Sequence, residues 1–188
     1  MVWAIVAVLV IALVIAGVVI ARQRRSQRLQ EGFGPEYGRT LAEKGDRRAA
    51  ESELLERRER RQQLEVRELD PESRERYAER WRATQRTFVD QPSVAVAEAD
   101  RLVSEVMHDR GYPVDEDFER RAADVSVDHP VVVENYRAAH GISVRAARNE
   151  ADTVELRNAL VHFRSLFEEL LGADAKARDT DEAKEMHR

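Results

Sequence analysis

The feature that most constrains this 188-residue chain is an unbroken apolar run over residues 2–21, VWAIVAVLVIALVIAGVVIA. At about 1.5 Å rise per residue, a helix of this length spans about 30 Å, the thickness of a bilayer's hydrocarbon. Valine and isoleucine are mediocre helix formers in water. In lipid, however, every backbone N–H and C=O must be satisfied within the segment, so helix is imposed. The run therefore reads as a single transmembrane helix, with Trp3 at the outer interface where an indole is at home. A cleaved secretory signal is the alternative. It requires a basic segment before a shorter apolar stretch, although Val19-Ile20-Ala21 would serve as a cleavage site.

Orientation follows from the charges around the run. Residues 1–21 carry no charged side chain, and Arg22, Arg24, Arg25 and Arg28 follow at once. The excess of Lys and Arg flanking a span stays on the cytoplasmic side. This places the N-terminus outside and the body in the cytoplasm of a single-pass membrane protein, with export or secretion as the alternative. Ala12 with Ala16 and Gly17 with Ala21 have the small-xxx-small spacing that lets two membrane helices touch, so a homo-oligomer is one expected partner.

Beyond the run the chain is very polar, since charged residues make up 36% of the whole. Residues 22–64 hold 12 basic and 8 acidic side chains, and residues 65–188 hold 19 and 28. A basic membrane-proximal part and an acidic distal part suit a body held off an anionic lipid surface. There is no cysteine, which leans towards a reducing compartment and excludes a disulfide framework and thiol catalysis. Arginine outnumbers lysine 28 to 3, a bias expected of a GC-rich genome.

Gly32-Phe33-Gly34-Pro35 should break the helix leaving the bilayer, with Pro35 opening the next. Residues 22–34 thus read as a basic linker and 35–69 as a charged, solvated stalk helix. Glu43–Arg47, Glu53–Arg57 and Glu56–Arg60 have the favourable order and spacing for helix-stabilising ion pairs. Its leucines do not keep a heptad, which disfavours a coiled coil. The doublets Arg57-Arg58 and Arg60-Arg61 are interleaved with glutamates and lack aromatics, so they read as a solvated face and not as a nucleic-acid site.

Residues 70–172 read as a small helical bundle. Asp70-Pro71 opens a helix bearing Tyr77, Trp81 and Phe88. Pro92 opens another with the stripe Ala95, Ala99, Leu102, Val103 and Val106, ended by Gly111-Tyr112-Pro113. A third bears Phe118, Ala122 and Val125. Asp128-His129-Pro130 is expected to start a fourth, with Val132, Val133 and Tyr136 inward, and Gly141 to stop it. Asp152-Thr153-Val154-Glu155 reads as a capping box for a long helix carrying Leu156, Leu160, Phe163, Phe167, Leu170 and Leu171. Gly172 should end that helix, leaving 173–188 as a disordered tail. Sustained period-two alternation and hairpin turns are absent, so the fold class is all-α.

Chemistry-bearing patterns are few. Glu105-x-x-His108 matches half of a di-iron bundle motif, but there is one copy where two are needed, and an exposed Glu and His is the simpler reading. Asp124, Asp128, His129 and His140 cluster in sequence and define the enzyme alternative, a metal-binding or hydrolytic site. Capping roles for Asp128 and His129, and a helix-dipole role for His140, explain the same residues without chemistry. Phosphate-binding glycine loops, nucleophile elbows and zinc-protease motifs do not occur. The reading is of a non-enzymatic interaction or scaffold protein with no cofactor, no metal and no nucleic acid. Its candidate partner surface is Gly111, Tyr112 and Pro113 with Asp128, His129 and Pro130, loop residues that core packing does not obviously require.

The stretches Phe33-Gly34-Pro35-Glu36-Tyr37, Gly45 to Glu51, Tyr77 through Trp81-Arg82 to Asp90, Arg110 to Pro113, and Ser126 to Pro130 with Tyr136-Arg137 are similar to a family of actinobacterial proteins. Its members have a hydrophobic N-terminus, a charged helix and a helical body, and are generally labelled hypothetical, membrane or secreted proteins. The resemblance covers nearly the whole chain. It implies an actinobacterial source and a membrane anchor, and it assigns no activity and no functional residues.

Overall fold

In a computed structural model, the backbone is described for residues 2–114 and 117–185. Side chains of residues 173–188, and of most of residues 2–18, lie outside the described set. The described residues form eight α-helices and no strand: α1 (Val2–Phe33), α2 (Pro35–Lys44), α3 (Arg47–Gln63), α4 (Pro71–Asp90), α5 (Pro92–Asp109), α6 (Phe118–Asp128), α7 (Val133–Ala146) and α8 (Thr153–Glu185). The all-α expectation holds. Among the described residues no helix is long and apolar enough to cross a membrane. The expected span falls largely on side chains outside that set. The chain divides into two compact units, Met1–Glu56 and Arg57–Arg188, with the boundary inside α3.

In the first unit Gly34 and Pro35 break the chain as expected, but residues 22–33, read as a linker, continue α1 as helix. Gly34 takes a positive φ of 46° and Pro35 occupies the first position of α2. The single solvated stalk expected over 35–69 is corrected to two helices and an irregular segment. Gly45 adopts the left-handed conformation (φ 68°), and its N–H closes on the Leu41 carbonyl at 2.9 Å, so α2 stops there. Tyr37, Ala50 and Leu54 are buried, as are Leu29 and Phe33 of α1. The Tyr37 hydroxyl donates to Glu51 at 3.1 Å and lies 3.4 Å from Ser26 Oγ, joining the three helices. A charged helix with a few apolar positions needs no heptad when those positions are used in a short hairpin.

In the second unit α5 is central, packing against α4, α7 and α8. Its stripe Ala95, Ala99, Leu102, Val103 and Val106 is fully buried, as the periodicity predicts. Trp81 of α4 stacks on Phe167 of α8 with ring centroids 4.7 Å apart, and Tyr136 of α7 meets Phe163 edge-on at 6.2 Å. The caps read from sequence form. Asp70 accepts from the Ser73 N–H at 2.8 Å. Asp152 accepts from the Glu155 N–H at 2.8 Å while Glu155 accepts from the Asp152 N–H at 3.0 Å, a reciprocal box.

Three boundaries differ from the sequence reading. Asp128 ends α6 and His129 caps it, its N–H bonded to the Val125 carbonyl at 2.9 Å; Pro130 lies in a turn and does not open α7. The α7 helix runs through Gly141 to Ala146. It is stopped by Asn149 at φ 59°, with Asn149 N–H to Ala146 O at 3.0 Å and Glu150 N–H to Arg145 O at 2.9 Å. These are the paired bonds of a Schellman stop, and asparagine tolerates its left-handed residue. Likewise α8 continues through Gly172 to Glu185 where the reading ended it. One glycine weakens a helix interior by about 1 kcal/mol and does not by itself end it.

Candidate interaction surface

The turn after α5 builds the first half of the sequence-predicted surface. Gly111 has φ 93°, its N–H bonds His108 O at 2.8 Å, and the Tyr112 N–H bonds Met107 O at 3.0 Å. This stop turns Tyr112 inward, leaving it 2% exposed. A Cβ on Gly111 would stand 2.5 Å from the Glu65 carbonyl oxygen, because the segment after α3 crosses over the turn. That segment is held by the Arg67 N–H, which donates to Arg110 O at 2.8 Å. Pro113 is half-buried.

The end of α6 supplies the second half. The Tyr112 hydroxyl donates to Asp128 Oδ2, and Arg61 Nε of α3 donates to the same oxygen. The Arg61 guanidinium lies over the Tyr112 ring, 5.8 Å from its centroid. Burial first, then the Asp128 carboxylate, push the Tyr112 hydroxyl well above its ordinary pKa, so it stays a proton donor. One turn earlier Asp124, 3% exposed, lies 3.4 Å from Arg60 Nε. Two carboxylates spaced by four on α6 thus meet two adjacent arginines of α3.

His129 is 6% exposed, and its Nδ1 lies 3.6 Å from Glu169 Oε1 of α8 without a hydrogen bond. Burial lowers its pKa, and Arg110 nearby adds to this while Asp128 and Glu169 oppose it. Arg110 donates to the Leu170 carbonyl at 2.5 Å and ties the end of α5 to α8. Two of the six predicted surface residues, Tyr112 and His129, therefore point into the fold. Pro130 is half-buried, and Asp128 is exposed yet engaged by both Tyr112 and Arg61.

The Asp/His cluster does not converge. His140 lies on α7 and faces α5, with Nδ1 3.0 Å from Asp100 Oδ2 and its ring stacked on Phe118 at 3.7 Å. Its expected place at a helix C-terminus is corrected with the extension of α7 past Gly141. Among the described residues no group of three or more His, Cys, Asp or Glu side chains could hold a metal ion. Glu105 lies between Arg80 and Arg101, and Arg80 chiefly holds its carboxyl below the usual range. His108 is exposed, as the simpler reading of that motif expects, whereas Glu105 is half-buried.

A depression of about 330 Å³ is lined by Tyr77, Arg101, Glu105, His108 and Asp109 among others. Its charges are largely spent on one another. Tyr77 donates to Asp109 at 2.6 Å, and burial first and then that carboxylate push the Tyr77 hydroxyl up to about 12. Arg60 and Arg61, read from the sequence as part of a solvated face, are half-buried and pair with Asp124 and Asp128, and Arg110 and Glu169 were not singled out as site residues. Their spacing resembles any charged helix face, and only the arrival of α6 and α8 gives them partners. Arg22, Arg24, Arg25 and Arg28, the orienting collar, all lie exposed on α1. No protein-family model, curated protein or solved structure matches the chain.

Proposed function

We propose that the chain is a single-pass, membrane-anchored scaffold or interaction protein, not an enzyme, with its helical body on the cytoplasmic side. The observation that carries this reading is the continuity of α1. The apolar run and the four collar arginines lie on one uninterrupted helix, Val2–Phe33, with no break where lipid would give way to water. The arginines just beyond the run set the orientation, cytoplasmic charge being retained.

The body supports a binding role better than a catalytic one. Its Asp and His residues are used as helix ties and aromatic contacts, and the four-residue cluster that an active site would need is split between α6 and α7. The partner surface is narrowed to Gly111, Pro113, Asp128 and Pro130, around the turns that follow α5 and α6, with the exposed Val131 beside them.

Topology tests the reading directly. A C-terminal reporter that works only in the cytoplasm should be active, one that works only after export should be silent, and the chain should resist alkaline extraction from membranes. An active exported reporter, or a mature chain starting at Arg22, would overturn it. Crosslinking in membranes should then recover a protein partner whose yield falls when Asp128 and Pro130 are substituted.

A further inference from the structure

The first unit contains a cavity of about 450 Å³ between the turns of α1 that directly follow the apolar run and the first turns of α3, lined by Arg22, Arg25, Arg47, Arg48, Glu51 and Ser26, among others. We propose that this cavity binds a phosphate group, as carried by an anionic phospholipid headgroup or by a free phosphate. The proposal rests on the membrane reading only for the source of the phosphate, not for the site.

Four guanidinium groups converge on the cavity from two helices, and among the described residues none of them has a hydrogen-bond or ion-pair partner. Other arginines also lack partners among the described residues, including Arg24, Arg28, Arg148 and Arg157, but they do not share the lining of this cavity. In the same unit Arg39 pairs with Glu43 and Lys44 with Glu53. In the second unit Arg60, Arg61, Arg80, Arg101, Arg145 and Arg164 each meet a carboxylate. The acid lining the cavity, Glu51, is already engaged by the Tyr37 hydroxyl at 3.1 Å. The site is therefore a concave surface with an excess of three positive charges in its lining, and no internal anion neutralises it.

Guanidinium is a planar fork of N–H donors that matches phosphate oxygens two at a time, and several such forks around one volume favour phosphate over a lone carboxylate. A volume of this size lies in the range of small-ligand sites. Arg22 follows the apolar run directly and Arg25 lies one turn further on. A helix anchored by that run would hold both at headgroup depth, where anionic lipids attract arginine.

The test uses the full chain in non-ionic detergent micelles, titrated calorimetrically with short-chain phosphatidylglycerol, short-chain phosphatidylcholine and inorganic phosphate. Saturable, salt-sensitive binding of phosphatidylglycerol is expected, with no binding of the zwitterionic lipid. Binding confined to the lipid assigns the source to the membrane; binding of inorganic phosphate as well assigns the site to phosphate in general. The double variant Arg47→Gln/Arg48→Gln should weaken binding about tenfold or more. Arg148→Gln/Arg157→Gln, two exposed arginines far along the chain, should not. Arg47→Lys/Arg48→Lys, with unchanged circular dichroism, should recover much of the loss and so separate charge from folding. Failure of both anions to bind, or equal losses in the two glutamine pairs, would overturn the proposal. Alkaline extraction of the same chain from membranes reads the anchor separately, since its release would sink the membrane reading and leave the phosphate arm intact.

Discussion

Gly111 and His129 are the two positions where one side chain decides most. Gly111 combines a left-handed φ with a backbone oxygen 2.5 Å from where a Cβ would stand. Gly111→Ala should destabilise the second unit by about 1–3 kcal/mol from the backbone conformation alone, read as a lower urea midpoint. His129 is buried and its pKa is lowered, so the folded chain resists the proton that the unfolded chain accepts near pH 6.5. The unfolded state then binds more protons below that pH. Stability is fully present above it and is lost as pH falls towards the folded value. The urea midpoint should therefore drop between pH 7.5 and 5.5, and His129→Leu should flatten that part of the profile. The groups facing His129 are Asp128, Arg110 and Glu169, none of which is removed by that substitution.

Four helices, α1, α2, α5 and α7, end at or shortly before a residue with positive φ, while α4 and α6 end at Gln91 and His129 with negative φ. A glycine alone does not end a helix here. Gly111 and Gly141 look alike in sequence, each following a His-containing helical stretch. Gly111 sits at φ 93° and ends α5, whereas Gly141 is helical inside α7 and a Cβ there would meet nothing within 4 Å. Gly141→Ala should accordingly raise the urea midpoint, corresponding to about 0.5–1 kcal/mol, the opposite sign to Gly111→Ala. Asn149 carries the actual stop, and its signal was present in the chain as an asparagine before a polar link. Caps based on Asp were legible because the acceptor and the N–H it satisfies lie within three residues, as at Asp70 and Asp152.

At the scale of the molecule the charges do two different jobs. Acidic and basic groups of the second unit pair across helices, as Asp124 with Arg60 and Asp128 with Arg61. The collar of α1 and the arginines opening α3 remain without internal partners among the described residues. Under the proposed topology, replacing Arg22, Arg24, Arg25 and Arg28 together by Gln should remove the orientation preference, and a C-terminal export-dependent reporter should gain activity in a substantial fraction of chains.

The helical class, the stripe of α5, the aromatic face of α4 and the two aspartate caps followed from the sequence by itself, because each rests on neighbours within one or two turns. Which charges are buried, that residues 35–63 fold as two helices with buried apolar positions, and that Tyr112 and His129 face inward while His140 turns to α5 were decided only by tertiary structure. The physical reason is that burial and pairing are set by elements far apart in the chain, such as Tyr112 with Asp128, 16 residues apart, or Arg61 with Asp128, 67 apart. Local spacing carries no record of which of them will meet.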